Sequence, residues 1–231
     1  MTTPVLDRIP HLDHRSRGFG VSEVVPRQAR RESMWRYPEN RIDQGAEGAC
    51  VGFGWANELQ GDPVRVAGIG NQFARELYGL SQQIDRERHN LHFPEGATVL
   101  AGAKATQQLG YQDAYRWAFG VDQVIDALVG HGPVVLGVNW YAGMYNTRPS
   151  GLVEIDGPLV GGHCITLFGY HPGMRIRGEG WFKRHEVVAW VNSWGPSYGV
   201  RGIGYVKVED LDRLLREQGE ACVPMHRTRP N

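Results

Sequence analysis

The chain has little cysteine, no long apolar run and no excess charge of either sign. Its 231 residues contain only three cysteines, Cys50, Cys164 and Cys222. So few, in an odd number, do not make a disulfide framework. A Cys164–Cys222 bridge stays open as an alternative, but we expect both residues to be buried free thiols. No run approaches the roughly 20 apolar residues of a membrane span, and residues 1–10 lack the apolar core of a signal peptide. We therefore expect no membrane partner and a location in the cytoplasm or in a virion.

The balance of charge argues against polyanionic partners. The chain has 25 Lys and Arg residues against 25 Asp and Glu residues, so its formal net charge is zero. Such a chain has no electrostatic reason to bind nucleic acid or an anionic membrane. The locally basic stretch at residues 26–36 is interrupted by Glu32. We interpret that stretch as part of a solvated arm rather than as a nucleic-acid site.

Helical and strand patterns are segregated along the chain. Residues 1–34 have weak periodicity and predict an extended N-terminal arm that packs on the body or on a partner. Helical patterns follow at residues 49–61, 71–84, 100–109 and 121–129. Strand patterns then occupy residues 133–138, 164–168, 186–191 and 203–208, before a short helix at 211–216 and an extended tail. This segregation predicts an α+β fold with two lobes.

Two residues near the start of the first helix suit thiol chemistry. Cys50 falls at the expected start of that helix, where the partial positive charge of a helix N-terminus stabilises a thiolate. Gln44 lies six residues earlier in the chain. Its side-chain N–H and the backbone N–H of Cys50 are suited to hold an oxyanion together. The pattern predicts a nucleophile of lowered pKa and a donor for the negative charge that forms during acyl transfer.

Residues in the strand-rich half complete this chemistry. His163 follows Gly161 and Gly162 and opens an apolar strand, so its imidazole is carried by a rigid element. Asn192 has an amide oxygen that is able to accept the imidazole N–H and to fix the tautomer of the ring. Trp194, two residues further on, is placed to cover that hydrogen bond and keep water away. A nucleophile, a base, an orienting amide and an oxyanion donor make a complete catalytic set.

Together these motifs resemble the papain-like cysteine peptidases. The resemblance covers about residues 35–210 and is carried by the stretch 43–50, the glycine–histidine strand at 161–170 and the segment Asn192-Ser193-Trp194-Gly195. It implies a papain-like two-lobe fold with an active-site cleft between the lobes. In that division residues 35–231 form the peptidase domain, with a helical lobe at about 41–115 and an antiparallel, β-barrel-like lobe at about 116–231.

The resemblance also implies a role for each candidate residue. The catalytic set would be Cys50 as nucleophile, His163 as acid and base, Asn192 as orienting residue and Gln44 as oxyanion donor. The substrate-binding set would be Gly161, Gly162 and Trp194, with the two glycines bordering the pocket for the side chain that precedes the scissile bond. The implied reaction is hydrolysis of a peptide or isopeptide bond in a peptide or protein substrate, with no metal and no organic cofactor.

Several positions depart from the pattern of that family. Glu47 stands where the family has a further cysteine, Val51 replaces an aromatic residue, and Gly162 replaces the Asp or Asn before the histidine. His163 follows Cys50 by 113 residues, and Asn192 follows it by 142. These departures indicate a divergent member of bacterial or phage type. We expect no long propeptide. The arm before residue 40 is then the candidate segment for covering the cleft and restraining activity.

Two other functions stay open at this point. The first is a peptidase with the same chemistry that cleaves the peptides of a bacterial cell wall. Such a protein would be a component of a phage particle, in which other subunits hold it. Release of muropeptides rather than cleavage of casein would identify it. The other is a non-catalytic module that keeps the fold as an interaction platform, which the departures at Glu47, Val51 and Gly162 favour. It predicts that Cys50→Ala changes no phenotype.

Overall fold

The computed structural model describes residues 4–39, 41–176 and 183–230. It confirms an α+β fold in which helices dominate the first half and strands the second. The helices are α1 Cys50–Gln60, α2 Asn71–His89, α3 Val99–Gln108, α4 Val121–Gly130 and α5 Val208–Arg216. All five lie where the sequence predicts them, and α2 continues five residues beyond its predicted end at residue 84. Within the described ranges, no helix is long and apolar enough to cross a membrane.

The main sheet is antiparallel and has seven strands. Its principal path runs β4-β9-β5-β6-β7-β8, and β2 pairs with β6 where β5 has ended. The strands of this sheet are β2 Ser33–Met34, β4 Gln112–Ala118, β5 Val134–Tyr141, β6 Leu159–Arg175, β7 Arg184–Val191, β8 Ile203–Lys207 and β9 Glu220–Arg227. Over the residues that the structure describes, β4 and β8 remain at opposite ends of the path. The sheet is therefore open, and the predicted barrel-like lobe is not a closed barrel.

Two long strands, β4 and β9, were not predicted from the sequence. The segment of β9 contains Pro224, which usually argues against the interior of a paired strand. Its partners are β4 and β5, which lie far away in sequence. The predicted extended tail is a strand of the main sheet, whose pairing the sequence did not indicate. Pairing of this kind depends on distant residues that local periodicity does not reveal.

The sheet has an apolar core on each face, as the alternation along β5 shows. Val134, Leu136 and Val138 point into a core shared with α4 and α5. Val135 points to the other side, into a core shared with α1, α2 and α3. Successive residues of a strand face opposite sides, so Gly137 lies on the same face as Val135. This second face, which meets the helical side of the molecule, carries the features described below.

The N-terminal arm follows the junction between the helices and the sheet. Its first strand, β1 Arg8–Ile9, pairs in parallel with the short β3 Ala97–Thr98, which precedes α3. An isolated bridge also joins Asp7 to Gly162 of β6. After two short 3₁₀ helices at His14–Gly18 and Val21–Glu23, the arm ends in β2 on the sheet. The arm thus contacts both halves of the molecule, as the sequence analysis expects of a segment packed on the body.

Candidate active site

The thiol of Cys50 lies at the first residue of α1 and has no exposed surface. The backbone amides of Asp7 and Cys164 lie close enough to its sulfur to favour the thiolate. Cys164 is the residue next to His163 in β6, so the strand that carries the histidine also contacts the thiol. The close approach of α1 to β6 requires glycine at position 54, because a Cβ there would lie 2.7 Å from Cys164 Sγ.

The electrostatics of Cys50 differ from the sequence-based prediction. Burial raises the pKa of the Cys50 thiol to about 11, against a smaller lowering by the two nearby backbone amides. The prediction of a lowered pKa does not hold in this conformation. The physical reason is that the thiol is fully buried and removed from water, which disfavours the charged form. In this closed state the thiol is neutral at pH 7.

The imidazole of His163 is held in one tautomer by Asn192. Asn192 Oδ1 accepts the backbone N–H of Ser193 at 2.7 Å, and it lies 2.9 Å from His163 Nε2. Because that oxygen is an acceptor, Nε2 carries the proton of the neutral ring and donates a hydrogen bond to Asn192. His163 Nδ1 therefore has the free lone pair, and this buried nitrogen has no hydrogen-bond partner among the described residues. The predicted orienting contact between Asn192 and His163 is present.

Two indoles enclose the imidazole. Trp194 stacks on the ring of His163 with 4.7 Å between ring centroids and 27° between planes. Trp140 meets the same ring edge-on, at 4.7 Å and 78°. Burial lowers the pKa of His163 to about 4, which the hydrogen bond to Asn192 opposes. The histidine is therefore a neutral base in this state, and Trp194 covers it in the way the sequence predicts.

Gln44 is oriented by a serine that the sequence analysis did not single out. Ser193 Oγ donates to Gln44 Oε1 at 2.6 Å, which directs the Nε2 group away from Ser193. That Nε2 donates to the carbonyl oxygen of Glu47 at 2.8 Å and to that of Val5 at 3.2 Å. A chain of hydrogen bonds thus joins His163 through Asn192 and Ser193 to Gln44, while Cys164 joins the same strand to Cys50.

The arm occupies the space above these residues. The carbonyl oxygen of Val5 accepts a hydrogen bond from Gln44 Nε2, and the backbone amide of Asp7 lies near the sulfur of Cys50. A Cβ on Gly162 would lie 2.3 Å from the carbonyl oxygen of Arg8, and one on Gly161 would lie 2.9 Å from Leu6 Cβ. Gly161 and Gly162, predicted to border a substrate pocket, border the arm here.

Other glycines make room for the same segment. A Cβ on Gly48 would lie 1.9 Å from Asp7 Oδ2. Gly96 has a φ of +89°, and a Cβ there would lie 2.2 Å from the carbonyl oxygen of Asp7. A side chain at Gly96 would clash with the backbone of the arm, and one at Gly48 would require the Asp7 side chain to move. The cleft is therefore lined by glycine on both walls, and this lets a peptide backbone approach closely.

The remaining cysteines and acidic residues do not add a second reactive centre. Cys50, Cys164 and Cys222 are all free and buried, which confirms the prediction for the last two. Burial raises the pKa of Cys164 and Cys222 well above the ordinary value. In the described part of the chain, no three His, Cys, Asp or Glu side chains are grouped so that they could hold a metal ion.

Comparison with solved structures shows the same fold in known cysteine proteases. Xylellain, a cysteine protease from Xylella fastidiosa, aligns with a TM-score of 0.63 over 96% of each chain, at 18% sequence identity. ProCathepsin B S9 from Trypanosoma congolense aligns with a TM-score of 0.55 at 13% identity, over 98% of this chain and 84% of that one. The ragweed pollen allergen Amb a 11, a cysteine protease in its proform, gives 0.55 at 16% identity, over 83% and 66% of the two chains.

These alignments show that the chain has the papain-like fold. Searches with protein-family models and among curated protein sequences give no match. At identities below 20% the likeness concerns the fold, so any assignment of activity depends on the residues of this chain.

Proposed function

We propose that this chain is a cysteine peptidase that hydrolyses peptide bonds in peptide or protein substrates. Cys50 is the nucleophile, His163 the general base and acid, and Asn192 the residue that orients His163. Gln44 and the backbone N–H of Cys50 hold the oxyanion. What supports the proposal is a thiol at a helix N-terminus together with a buried histidine that Asn192 orients and whose unprotonated Nδ1 has no hydrogen-bond partner among the described residues.

The reaction follows from these positions. His163 Nδ1 takes the proton of the Cys50 thiol as the sulfur attacks the substrate carbonyl carbon. The carbonyl oxygen becomes negative and accepts N–H groups from Gln44 and from the first turn of α1, whose amides have no intrahelical partner. The imidazolium then protonates the departing amine. In the second half of the reaction the same ring removes a proton from water, which releases the acid from the sulfur.

The described conformation is a closed state of this site. Val5 holds the donor that an oxyanion needs, and the backbone amide of Asp7 lies near the sulfur of Cys50. An arm in this position occupies the space that a substrate needs. Catalysis therefore requires residues 5–9 to leave the cleft, after which water and the imidazolium are able to lower the pKa of the thiol.

The experiment is hydrolysis of casein and of a mixed peptide library by the full chain, with Arg8→Ala as a second background in which the arm is loosened. In either background Cys50→Ala should lower turnover by about 10³-fold or more. Cys222→Ala, which removes another buried thiol, is the matched control and should keep activity. Cleavage that is equal with and without the Cys50 thiol would contradict the proposal. Absence of cleavage in every background would favour the non-catalytic module instead.

A further inference from the structure

Lysine is rare in this chain, and one lysine is in contact with a buried histidine. Of the 25 Lys and Arg residues, only Lys104, Lys183 and Lys207 are lysines. Lys104 lies in α3 and is half-buried, and its amine contacts the imidazole of His89. An arginine keeps its proton in proteins, whereas a lysine loses its proton where the surroundings disfavour the charge. A lysine at this position is therefore able to present a neutral, nucleophilic amine.

A chain of hydrogen bonds leads from this amine to a buried carboxylate. Lys104 Nζ lies 2.7 Å from His89 Nε2, and His89 Nδ1 lies 2.8 Å from Asp85 Oδ1. Asp85 also accepts the backbone N–H and the hydroxyl of Thr98, each at 2.8 Å, so its oxygens act as acceptors. In the neutral ring Nδ1 therefore carries the proton, and Nε2 has the lone pair that faces the lysine.

The imidazole in this chain of hydrogen bonds is a buried base. The side chains of His89 and Asp85 are each 1% exposed. The ring of His11 from the arm stacks on that of His89, with 5.5 Å between centroids and 22° between planes. Burial lowers the pKa of His89, which the hydrogen bond to Asp85 opposes. The ring is neutral at pH 7 and is able to accept a proton, while the carboxylate is placed to stabilise the imidazolium that forms.

An open cavity of about 350 Å³ adjoins His89. Its lining consists of His89 and Arg88 of α2 together with residues 11–15 of the arm. Two guanidinium groups, those of Arg15 and Arg88, meet a single carboxylate here, that of Asp13. The cavity therefore has an excess of positive charge, which favours an anionic reagent over a neutral one.

The same charges act on the amine of Lys104. Burial lowers its pKa, and the charges of Arg15 and Arg88 lower it further. The carboxylates of Asp13 and Asp85 oppose this shift without reversing it. A larger fraction of this amine is therefore neutral than in an ordinary lysine. The amine thus combines contact with a base, partial exposure and a neighbouring cavity of positive charge.

We propose that Lys104 is a site of self-acylation, at which the amine takes the acyl group of an acyl phosphate that binds in this cavity. The neutral amine attacks the acyl carbon, a C–N bond forms, and the C–O bond to the phosphate breaks. His89 Nε2 takes the proton that the nitrogen loses and passes it to the departing phosphate. The products are an amide at Lys104 and inorganic phosphate. The reaction makes no use of Cys50, so it is independent of the proposed peptidase function.

Incubation of the full wild-type chain with acetyl phosphate at pH 8 tests this, with the other two lysines as internal controls. Mass spectrometry of the digested chain should show acetylation of Lys104 about 10- to 100-fold faster than of Lys183 or Lys207. With acetic anhydride, which has no charge for the arginines to bind, the advantage of Lys104 should shrink. Equal rates at the three lysines, or an advantage that is as large with acetic anhydride, would overturn the inference.

Two further measurements test the role of His89. In His89→Gln the rate of acetylation at Lys104 should fall about 10-fold or more, while the rates at Lys183 and Lys207 stay the same. His92→Gln, at an exposed histidine, is the matched control and should change none of the rates. In the wild-type chain, whose fold no substitution disturbs, the rate at Lys104 should level off at a lower pH than the rate at Lys183. Acetylation of Lys104 at the parent rate in His89→Gln, or one pH dependence shared by all three lysines, would contradict the proposal.

Discussion

Two buried arginine–glutamate pairs in this chain share their chemistry but not their setting. Arg227 of β9 approaches Glu58 of α1 with 3.0 Å between Nη1 and Oε1, and the two side chains are 5% and 1% exposed. Arg8 of the arm pairs with Glu220 at the other end of β9 with equally little exposure. The first pair joins two elements of the folded body, whereas the second joins the body to the arm.

The backbone around each arginine explains the difference. Arg227 also donates to the carbonyl oxygens of Leu59, Gly61 and Val64, which close the end of α1. Arg8 donates to one backbone carbonyl oxygen, that of Gln218. Among the described residues, two guanidinium nitrogens of Arg8 have no hydrogen-bond partner, whereas Arg227 has one such nitrogen. The two guanidinium groups therefore differ in how many backbone carbonyls hold them, three for Arg227 and one for Arg8.

The largest expected effect is on stability. Arg227→Ala should lower the free energy of unfolding by about 3–5 kcal/mol, because Glu58 is left buried without its partner. Arg8→Ala should cost less than about 2 kcal/mol, since a loosened arm lets water reach Glu220. Urea unfolding followed by tryptophan fluorescence measures both. Arg27→Ala, at an exposed arm pair with Asp122, is the control and should change little. Equal losses for Arg227→Ala and Arg8→Ala would remove the distinction between the two pairs.

The second expected effect concerns the ionisation of the Cys50 thiol while the arm is docked. Because burial raises the pKa of Cys50 to about 11, its thiolate fraction in the wild-type chain grows about tenfold per pH unit up to that value. The rate of iodoacetamide labelling at Cys50 should therefore rise by about 10³-fold between pH 7 and pH 10. In Arg8→Ala the rise should be shallower. A wild-type rate that is already level below pH 8 would show that the arm does not suppress ionisation.

A third test asks whether Asn192 orients His163 when the arm is loosened. In the Arg8→Ala background, Asn192→Ala should lower kcat/KM by about 10- to 100-fold, less than Cys50→Ala does. The imidazole loses the acceptor that fixes its tautomer but keeps the stacking of Trp194. Steady-state kinetics over pH measure the loss. Activity equal to that of the parent would show that Asn192 does not orient His163.

The smallest expected effect separates packing from catalysis. Cys164→Ser should cost about 1–3 kcal/mol of stability, because a hydroxyl would enter a fully buried site against Gly54. It should leave turnover in the Arg8→Ala background within about twofold. Cys164→Ala, which brings no polar group, is the control for the packing change. Loss of turnover in the serine variant without loss of stability would assign Cys164 a role in the reaction.

Most of the site was predictable because its residues carry local signals. Cys50 starts a helix, His163 opens a strand after two glycines, and Asn192 precedes a tryptophan, so each position is visible in a few neighbouring residues. The helices were predictable for the same reason, since periodicity and terminal glycines act over short distances.

What the sequence analysis missed depends on contacts between distant parts of the chain. Arg8 and Glu220 are 212 residues apart, and neither lies in a periodic segment that would attract notice. The strand β9 was taken for a tail because Pro224 and mixed polarity hide its pairing with β4 and β5. The lowered pKa of Cys50 was predicted from the helix N-terminus and a nearby imidazolium, whereas in the structure the desolvation of the buried thiol outweighs the groups that favour the thiolate.

The most direct test of the account is the pattern of alkylation in Arg8→Ala at pH 7. Mass spectrometry after brief iodoacetamide treatment resolves Cys50, Cys164 and Cys222. The account predicts labelling at Cys50 that is about 10- to 100-fold faster than in the wild-type chain and far faster than at the other two thiols. Equal labelling of all three cysteines, or selective labelling of Cys164, would contradict an activated nucleophile at position 50.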